Sequence, residues 1–220
     1  MKNLLATPKT TFLNLPVSKR DSIVREAVAE FAAQGYQRAS INNIVKRLGI
    51  AKGSLYQYFE NKETLFLYVF ESFTRKVKQT VKASVSLDGT TDFFLLIKQV
   101  LSAGINFIDD YPDYFQVYMR VVSEHDVPQR DSLIAGVRLF SLEYFSPLCE
   151  DLQKQGMLRS DISAQMVVFI LDATMDRFLR GYARPDLDGG MVLAGMLPEQ
   201  MLAEIDTIID VLRSGLLAQS

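Results

Sequence analysis

The sequence predicts an all-α fold, with a small N-terminal helical domain joined to a larger helical bundle. Apolar residues recur three and four positions apart along nearly the whole chain, and no stretch alternates apolar and polar residues between hairpin turns. Residues 1–83 contain 14 Lys and Arg against 6 Asp and Glu, whereas residues 84–220 contain 10 against 20. The basic part suits a polyanionic partner, and the acidic part suits another task. Charges that only solvate the surface can also be distributed unevenly along a chain.

The composition excludes several classes of protein. The 220 residues are 48% hydrophobic, which is enough for a sizeable core. Cys149 and His125 are the only residues of their types, so we expect no internal disulfide and no zinc cluster. No apolar run approaches the roughly 18 residues of a membrane span, and the first residues lack the apolar core of a secretion signal. We therefore expect a cytoplasmic protein without a metal or cofactor.

The N-terminal elements are marked by their ends. Residues 1–16 are expected to be a flexible arm. A first helix is predicted from Ser18, which can cap it, through an apolar stripe to Gly35, which can end it. A second, short helix is predicted from the cap Ser40 to Gly49.

A third helix follows Gly49 almost at once. Leu55 and Phe59 are four residues apart and are expected to face inward, which leaves the side chains between and before them outward or flanking. Two short helices around a tight turn, braced by a preceding helix, are typical of a helix-turn-helix, whose second helix enters the major groove of DNA. An ordinary helical hairpin has the same spacing, so spacing alone leaves both interpretations open.

The rest of the chain predicts a helical bundle. A long helix is predicted from the cap Asn61 to Lys82, followed by a break at 86–91. Further amphipathic segments are predicted at 92–109, 112–124, 129–156, 162–183 and 198–217.

Residues 39–65, ASINNIVKRLGIAKGSLYQYFENKETL, resemble the helix-turn-helix signature of the tetracycline-repressor (TetR/AcrR) family. The resemblance covers about a quarter of the chain. It implies a DNA-binding domain at 17–62 and a ligand-binding and dimerisation domain at 63–220, whose last two helices pair with a second copy. The positions that match are Phe31, Gly35, Tyr36, Ile44, Gly49, Ile50, Lys52, Gly53, Ser54, Leu55, Tyr56, Tyr58, Phe59, Lys62, Glu63 and Leu65.

The third helix carries residues that suit base recognition. Gly53 allows close approach to DNA, at a cost of about 1 kcal/mol relative to Ala in a helix interior. Lys52 can contact a phosphate or a guanine edge, and Ser54 and Gln57 can hydrogen-bond bases. Tyr56 offers a hydroxyl and a ring for a thymine methyl.

Three further residues are expected to position the protein on the DNA backbone. Ser40, Tyr58 and Lys62 can contact phosphates, and the helix that starts at Ser40 adds a favourable field. The sequence departs from the family pattern at Ala51, where a serine is usual, and this removes a helix cap of about 1 kcal/mol. Val45 and Leu48 replace smaller alanines, so the packing of the two short helices is expected to shift slightly.

The aromatic-rich bundle suits a largely apolar pocket for a small hydrophobic or aromatic effector, although ordinary core packing explains the same residues. Asp172 and Asp176 fit ion pairing with Arg177 and Arg180, or interface contacts, better than ligand recognition. The residues expected to line the pocket are Phe107, Tyr111, Phe115, Tyr118, Phe140, Tyr144, Phe169, Asp172 and Asp176.

We expect a repressor that binds a palindromic double-stranded DNA operator as a homodimer, because two reading helices about 34 Å apart read two half-sites. An effector would then release it by favouring another spacing of the two helices. An enzyme is the weaker alternative, since Asp172 and Asp176 only imitate a carboxylate pair and no catalytic motif occurs. A helical interaction module without DNA binding would be expected to have lost Lys52, Tyr58 or Lys62.

Overall fold

The computed structural model describes residues 8–85 and 92–217, apart from the side chains of residues 139–141. Within these ranges the chain is helical, with one isolated bridge between Leu158 and Leu217, which confirms the predicted all-α class. Two 3-10 helices lie at Pro185–Leu187 and Leu193–Gly195. The α-helices are α1 (Thr10–Leu13), α2 (Val17–Arg38), α3 (Ile41–Leu48), α4 (Lys52–Tyr56), α5 (Lys62–Ser84), α6 (Phe93–Asp110), α7 (Pro112–Ser123), α8 (Arg130–Lys154), α9 (Ala164–Ala183) and α10 (Pro198–Leu216).

Most predicted helix ends agree with the structure, and the differences are local. Helix α2 begins at Val17 after Pro16, so Ser18 lies inside the helix and does not cap it. Gly49 ends α3 in the left-handed region, with φ 64°, as its position predicted. Asn61 accepts a hydrogen bond from the N–H of Thr64 at 2.8 Å, which confirms the predicted cap. The predicted break at 86–91 lies outside the described residues.

The predicted flexible arm is wrong for its second half. Residues 10–13 form helix α1, and Phe12 is completely buried. Its ring lies 4.8 Å from the ring of Phe59 and 5.3 Å from that of Tyr68. An aromatic side chain buried to this extent holds the segment on the domain, and residues 1–7 of the predicted arm lie outside the described residues.

The chain divides into two compact units, which differ from the domains predicted at 17–62 and 63–220. The first unit comprises Met1–Lys78 and Tyr111–Ile134, and the second comprises Gln79–Asp110 and Ala135–Ser220. Most of α5 and all of α7 therefore belong to the same unit as the predicted helix-turn-helix.

Helix α7 joins the first unit because it packs on the end of α2. Arg120 donates from Nε to the carbonyl of Ala32 at 3.2 Å and from Nη2 to that of Ala33 at 2.9 Å. At Gly35 the helix kinks with φ 68°, and a Cβ there would lie 2.5 Å from the carboxylate of Glu124. The left-handed backbone favours glycine at position 35, and the missing side chain leaves room for the carboxylate of Glu124.

The core of the second unit lies among α6, α8, α9 and α10. Ile97, Leu101, Val167, Leu171 and Ile205 are its central buried side chains. None of the described helices combines the length and the apolarity needed to cross a bilayer.

Cys149 lies in the core of the second unit and is completely buried. Burial, with a smaller contribution from the Glu150 carboxylate, raises the pKa of Cys149 to about 11, so the side chain is a protonated thiol at neutral pH. Among the described residues, no group of three or more His, Cys, Asp or Glu side chains is placed to hold a metal ion.

Candidate DNA-binding site

Helix α3 is held on α2 by its apolar face and by one buried carboxylate. Ile41, Ile44 and Val45 are buried. Glu30 of α2 is only 3% exposed; its Oε1 accepts from the backbone N–H of Ser40 at 2.9 Å. Glu30 thus joins the start of α3 to α2.

The Glu30 network also includes two side chains of α3. Asn43 Nδ2 donates to Glu30 Oε1 at 3.0 Å, and Arg47 Nη1 donates to Oε2 at 2.9 Å. Burial by itself would raise the pKa of Glu30, but these hydrogen bonds outweigh it and hold the pKa below its ordinary value. Glu30 is therefore ionised at neutral pH and fully engaged in joining α2 to α3.

Helix α4 follows a turn whose backbone bonds are made locally. The N–H of Ile50 donates to the carbonyl of Val45 at 3.1 Å, just after the left-handed Gly49. Ala51 occupies the cap position of α4 and makes no side-chain cap bond, in agreement with the missing serine. Helix α4, which we call the reading helix, thus begins without a side-chain cap.

The side chains of α4 and of Gln57, which follows it, face inward or outward as the sequence predicted. Leu55 is 1% exposed and anchors the helix, whereas Lys52, Gly53 and Gln57 are exposed. Tyr56 is 38% exposed. Ser54 is half-buried, at the edge of the exposed surface.

Gly53 lies in open space within its own chain. A Cβ built at Gly53 would meet no heavy atom within 4 Å, so internal packing does not require glycine here. Its backbone φ does not lie in the left-handed region, so conformation does not require it either. A glycine that weakens a helix without an internal reason suits a surface that another molecule approaches closely.

Two of the predicted phosphate contacts are placed differently by the structure. Tyr58 is only 8% exposed, and its ring lies 6.1 Å from that of Phe12, so it belongs to the core rather than to the outward set. Lys62 donates its ammonium to the carbonyls of Tyr36 at 2.9 Å, Gln37 at 3.1 Å and Ala39 at 3.3 Å.

The ammonium of Lys62 also lies 4.6 Å from the centre of the Tyr36 ring. A lysine ammonium has three donors, and three carbonyls at the end of α2 take them. Lys62 therefore caps α2 instead of pointing to a phosphate, because the last carbonyls of a helix have no partners within it and accept these donors. Ser40 stands at the cap position of α3, but its hydroxyl makes no cap bond.

Comparison with known proteins identifies the domain. A family model described as bacterial regulatory proteins, tetR family, matches residues 23–69, from α2 into α5. A crystal structure of a TetR family transcriptional regulator from Chloroflexus aurantiacus J-10-FL is 31% identical, with a TM-score of 0.73, and the match covers 97% of this chain and 100% of that one. The chain belongs to the TetR family. It is a DNA-binding transcription regulator, and α3 and α4 are its helix-turn-helix.

Two more distant relatives are named as an operon repressor and as a regulator. The probable acrEF/envCD operon repressor of Escherichia coli K12 is 20% identical over 168 residues, which cover 74% of this chain and 75% of that protein. The structure of the fatty acid degradation regulator FadR from Bacillus halodurans is 18% identical, with a TM-score of 0.69, over 90% of this chain and 96% of that one. At that identity the second comparison shows the fold alone.

Sequence reasoning missed Glu30 as a residue of this TetR-family site. The signal was a carboxylate at the edge of the apolar stripe of α2, next to Ala27 and Phe31, both buried. A charged residue at a core-facing position needs a partner, and Arg47 on the following helix was available.

The predicted pocket residues are divided between the two units. Tyr111, Phe115 and Tyr118 belong to the first unit. Phe115 and Tyr118 are buried with their rings 5.5 Å apart, and the ammonium of Lys76 lies 4.2 Å from the Tyr111 ring. Phe115 and Tyr118 therefore belong to the core of the first unit, and Tyr111 makes a cation–π contact within it.

The other predicted pocket residues lie in the second unit, and two of them are ion-paired. Asp172 accepts from Arg138 Nη1 at 2.9 Å, and Asp176 pairs with Arg180 one turn away. Phe169 is 63% exposed, because the buried stripe of α9 runs through Val167, Val168, Leu171, Met175 and Phe178. Phe107 is buried in α6 and Tyr144 half-buried in α8, while the side chain of Phe140 lies outside the described residues.

A cleft of about 460 Å³ lies in the second unit and shares no residue with the predicted set. Its walls include Ala173, Arg177 and Phe178 of α9, Leu193 of the following connection and Ile208 of α10. The walls are mostly apolar, and two charged residues, Asp188 and the exposed Arg177, also line the cleft.

We expect Gly53→Ala to stabilise the protein and weaken its binding to DNA. Alanine raises the free energy of unfolding by up to about 1 kcal/mol in a helix, and its methyl meets nothing in this chain, but it would stand between α4 and DNA. Urea unfolding and fluorescence polarisation with labelled duplex DNA measure the two effects. Gly49→Ala is the control, and its free energy of unfolding should fall by about 1 kcal/mol, because the backbone at position 49 is left-handed. Unchanged DNA affinity in Gly53→Ala would contradict close approach at this residue.

Proposed function

We propose that this regulator is a repressor that binds a palindromic operator as a homodimer and is released by a small apolar effector. The observation that carries the DNA-binding part is the exposed set on α4, namely Lys52, Gly53, Tyr56 and Gln57, above the buried anchor Leu55. A short helix that buries one side on its own domain and exposes polar groups on the other has the shape needed to enter a major groove.

The proposed contacts follow from side-chain chemistry. Lys52, Ser54, Tyr56 and Gln57 read base edges, while the backbone at Gly53 approaches the DNA. The hydroxyl of Ser40, which makes no cap bond, contacts a phosphate beside the N-terminus of α3. Tyr58 and Lys62 support these contacts from inside the domain.

The operator is tested by selection from random DNA duplexes, which should yield a palindrome. Gln57→Ala should relax base preference at one position of each half-site and cost about 1 to 3 kcal/mol in discrimination there. Gln34→Ala is a matched control, since Gln34 is an exposed glutamine of α2 outside the reading helix. A single non-palindromic element, or equal effects of the two variants, would contradict the proposal.

The proposed dimer surface comprises the outward sides of α9 and α10. Phe169 is 63% exposed and Val211 is 68% exposed, although both are large apolar side chains. Met166 lies one turn before Phe169 on the same face of α9 and is also exposed, at 48%. Large apolar side chains that stay exposed on a folded chain are typical of a protein–protein interface.

We expect Phe169→Glu to convert the dimer to a monomer, or to weaken dimerisation at least about ten-fold, because a carboxylate would be buried without a partner at the interface. Sedimentation equilibrium measures the dissociation constant. Leu95→Glu is the control, since Leu95 is 46% exposed on α6, outside the last two helices. If the two variants shift the equilibrium equally, or if the wild type is a monomer, the proposed surface is wrong.

The effector is proposed to be mainly apolar, and fatty acids are the first class to test. The cleft of about 460 Å³ has mostly apolar walls, which suits a ligand of this kind, and Arg177 offers a charge for a carboxylate. The B. halodurans relative of the same fold is named a fatty acid degradation regulator. An aliphatic carboxylic acid fits both observations.

Laurate, below its critical micelle concentration, should release the protein from its selected operator in a polarisation assay. Butyrate carries the same carboxylate without the long chain and is expected to leave the complex intact, because burial of the chain contributes most of the binding free energy. Release by butyrate at the same concentration, or by neither acid, would contradict an effector of this class.

A further inference from the structure

The reading helix α4 is too short to hold its own orientation. It has five residues, and its N-terminal cap makes no side-chain bond. Helices much shorter than about 12 residues are marginal in water, so contacts from elsewhere in the chain must hold α4 in place. Leu55 anchors one side, and the C-terminal end requires a second support.

The second support is the N-terminal segment, residues 8–13. The last carbonyls of a helix lack partners within it, and at the end of α4 the segment supplies donors to three consecutive residues. Lys9 Nζ donates to the carbonyl of Tyr56 at 2.8 Å, and the backbone N–H of Lys9 donates to that of Tyr58 at 2.9 Å. The hydroxyl of Thr11 donates to the carbonyl of Gln57.

The segment is itself firmly anchored. Phe12 is completely buried, and its ring lies among those of Tyr58, Phe59 and Tyr68. The N–H of Phe12 donates to the carbonyl of Lys9 at 2.9 Å, which closes the turn that carries the donors. The donors of Lys9 and Thr11 therefore project from a fixed backbone.

We propose that the N-terminal segment sets the orientation of the reading helix, and that Lys9 and Thr11 are positioning residues for DNA specificity. Tyr56 and Gln57 are the residues whose carbonyls the segment holds, and their side chains are the proposed base readers. A bond to a carbonyl restrains the peptide plane and, with it, the direction of the adjacent Cα–Cβ bond. This inference rests on the proposed base contacts of Tyr56 and Gln57.

A direct contact between Lys9 and DNA is the competing explanation. A lysine that neutralises a phosphate adds about one unit to the salt dependence of binding to every sequence. A positioning lysine changes the preference for the operator and leaves the affinity for unrelated DNA unchanged. Thr11 carries no charge, so its substitution separates orientation from electrostatics.

The experiment compares Thr11→Val with Thr10→Val. Both replace a threonine by valine on α1, but only the hydroxyl of Thr11 has a carbonyl of the reading helix as its partner. Affinities for the selected operator and for a scrambled duplex are measured at several salt concentrations. Thr11→Val should lose about five-fold in the ratio of the two affinities, which corresponds to one net hydrogen bond, and Thr10→Val should not.

Two further variants complete the test of the N-terminal segment. Thr11→Ser restores the hydroxyl and should restore the ratio. Lys9→Met keeps the aliphatic stem, removes the ammonium and should lower the ratio without changing the salt slope. Thermal unfolding of every variant should remain one cooperative transition, with a melting temperature lowered by no more than a few degrees, as one net hydrogen bond contributes about 1 kcal/mol.

Three results would overturn the inference. One is an unchanged ratio in Thr11→Val, and another is an equal loss in Thr10→Val. The third is a smaller salt slope in Lys9→Met with equal weakening on both duplexes, which would show a direct phosphate contact. If the wild-type protein prefers no selected duplex, the proposed function is wrong instead. The selection with the wild type shows this by itself, so the two failures are distinguishable.

Discussion

The buried carboxylate of Glu30 is the interaction on which the DNA-binding unit depends. A charge that is 3% exposed is costly to bury, and it persists only when hydrogen bonds replace water. Ser40, Asn43 and Arg47 supply those bonds, and all three belong to α3 or its cap. The cost of burial thus becomes a geometric constraint, because any other placement of α3 on α2 leaves the charge without its partners. The short turn at Gly49 joins α4 to α3, so the position of α3 also determines the position of α4.

Close to Glu30, the C-terminal part of α2 is also held by positive charges. Lys62 of α5 and Arg120 of α7 both donate to carbonyls near its C-terminus, where the helix leaves acceptors without partners. Gly35 lets the chain kink there and lets Glu124 approach. The same short stretch of α2 therefore gathers α3, α5 and α7 around it, which explains why α7 belongs to this unit despite its distance in sequence.

The reading helix itself is built with little local stability. It lacks a side-chain cap, contains Gly53 where packing requires no glycine, and is only five residues long. Each of these features favours an open surface over a stable helix. Its stability comes from the buried Leu55 and from the hydrogen bonds of the N-terminal segment, which the buried Phe12 anchors. This division between a weak reading surface and strong supports is the usual relation between function and stability at a binding site.

Features that depend on neighbouring residues could be predicted from the sequence. Helical periodicity predicted the all-α class and most helix ends, Gly49 marked the turn, and the spacing of Leu55 from the polar residues of α4 separated the inward from the outward side. The roles of Phe12, Glu30 and Lys62 depend instead on contacts made in the folded chain. Lys62 and Arg120 bond to carbonyls 23 to 88 positions away along the chain. Side-chain type shows what such a group can donate or accept, but only the folded chain brings a particular partner within hydrogen-bonding distance. For the same reason the predicted pocket residues, most of them aromatic, are divided between the two units.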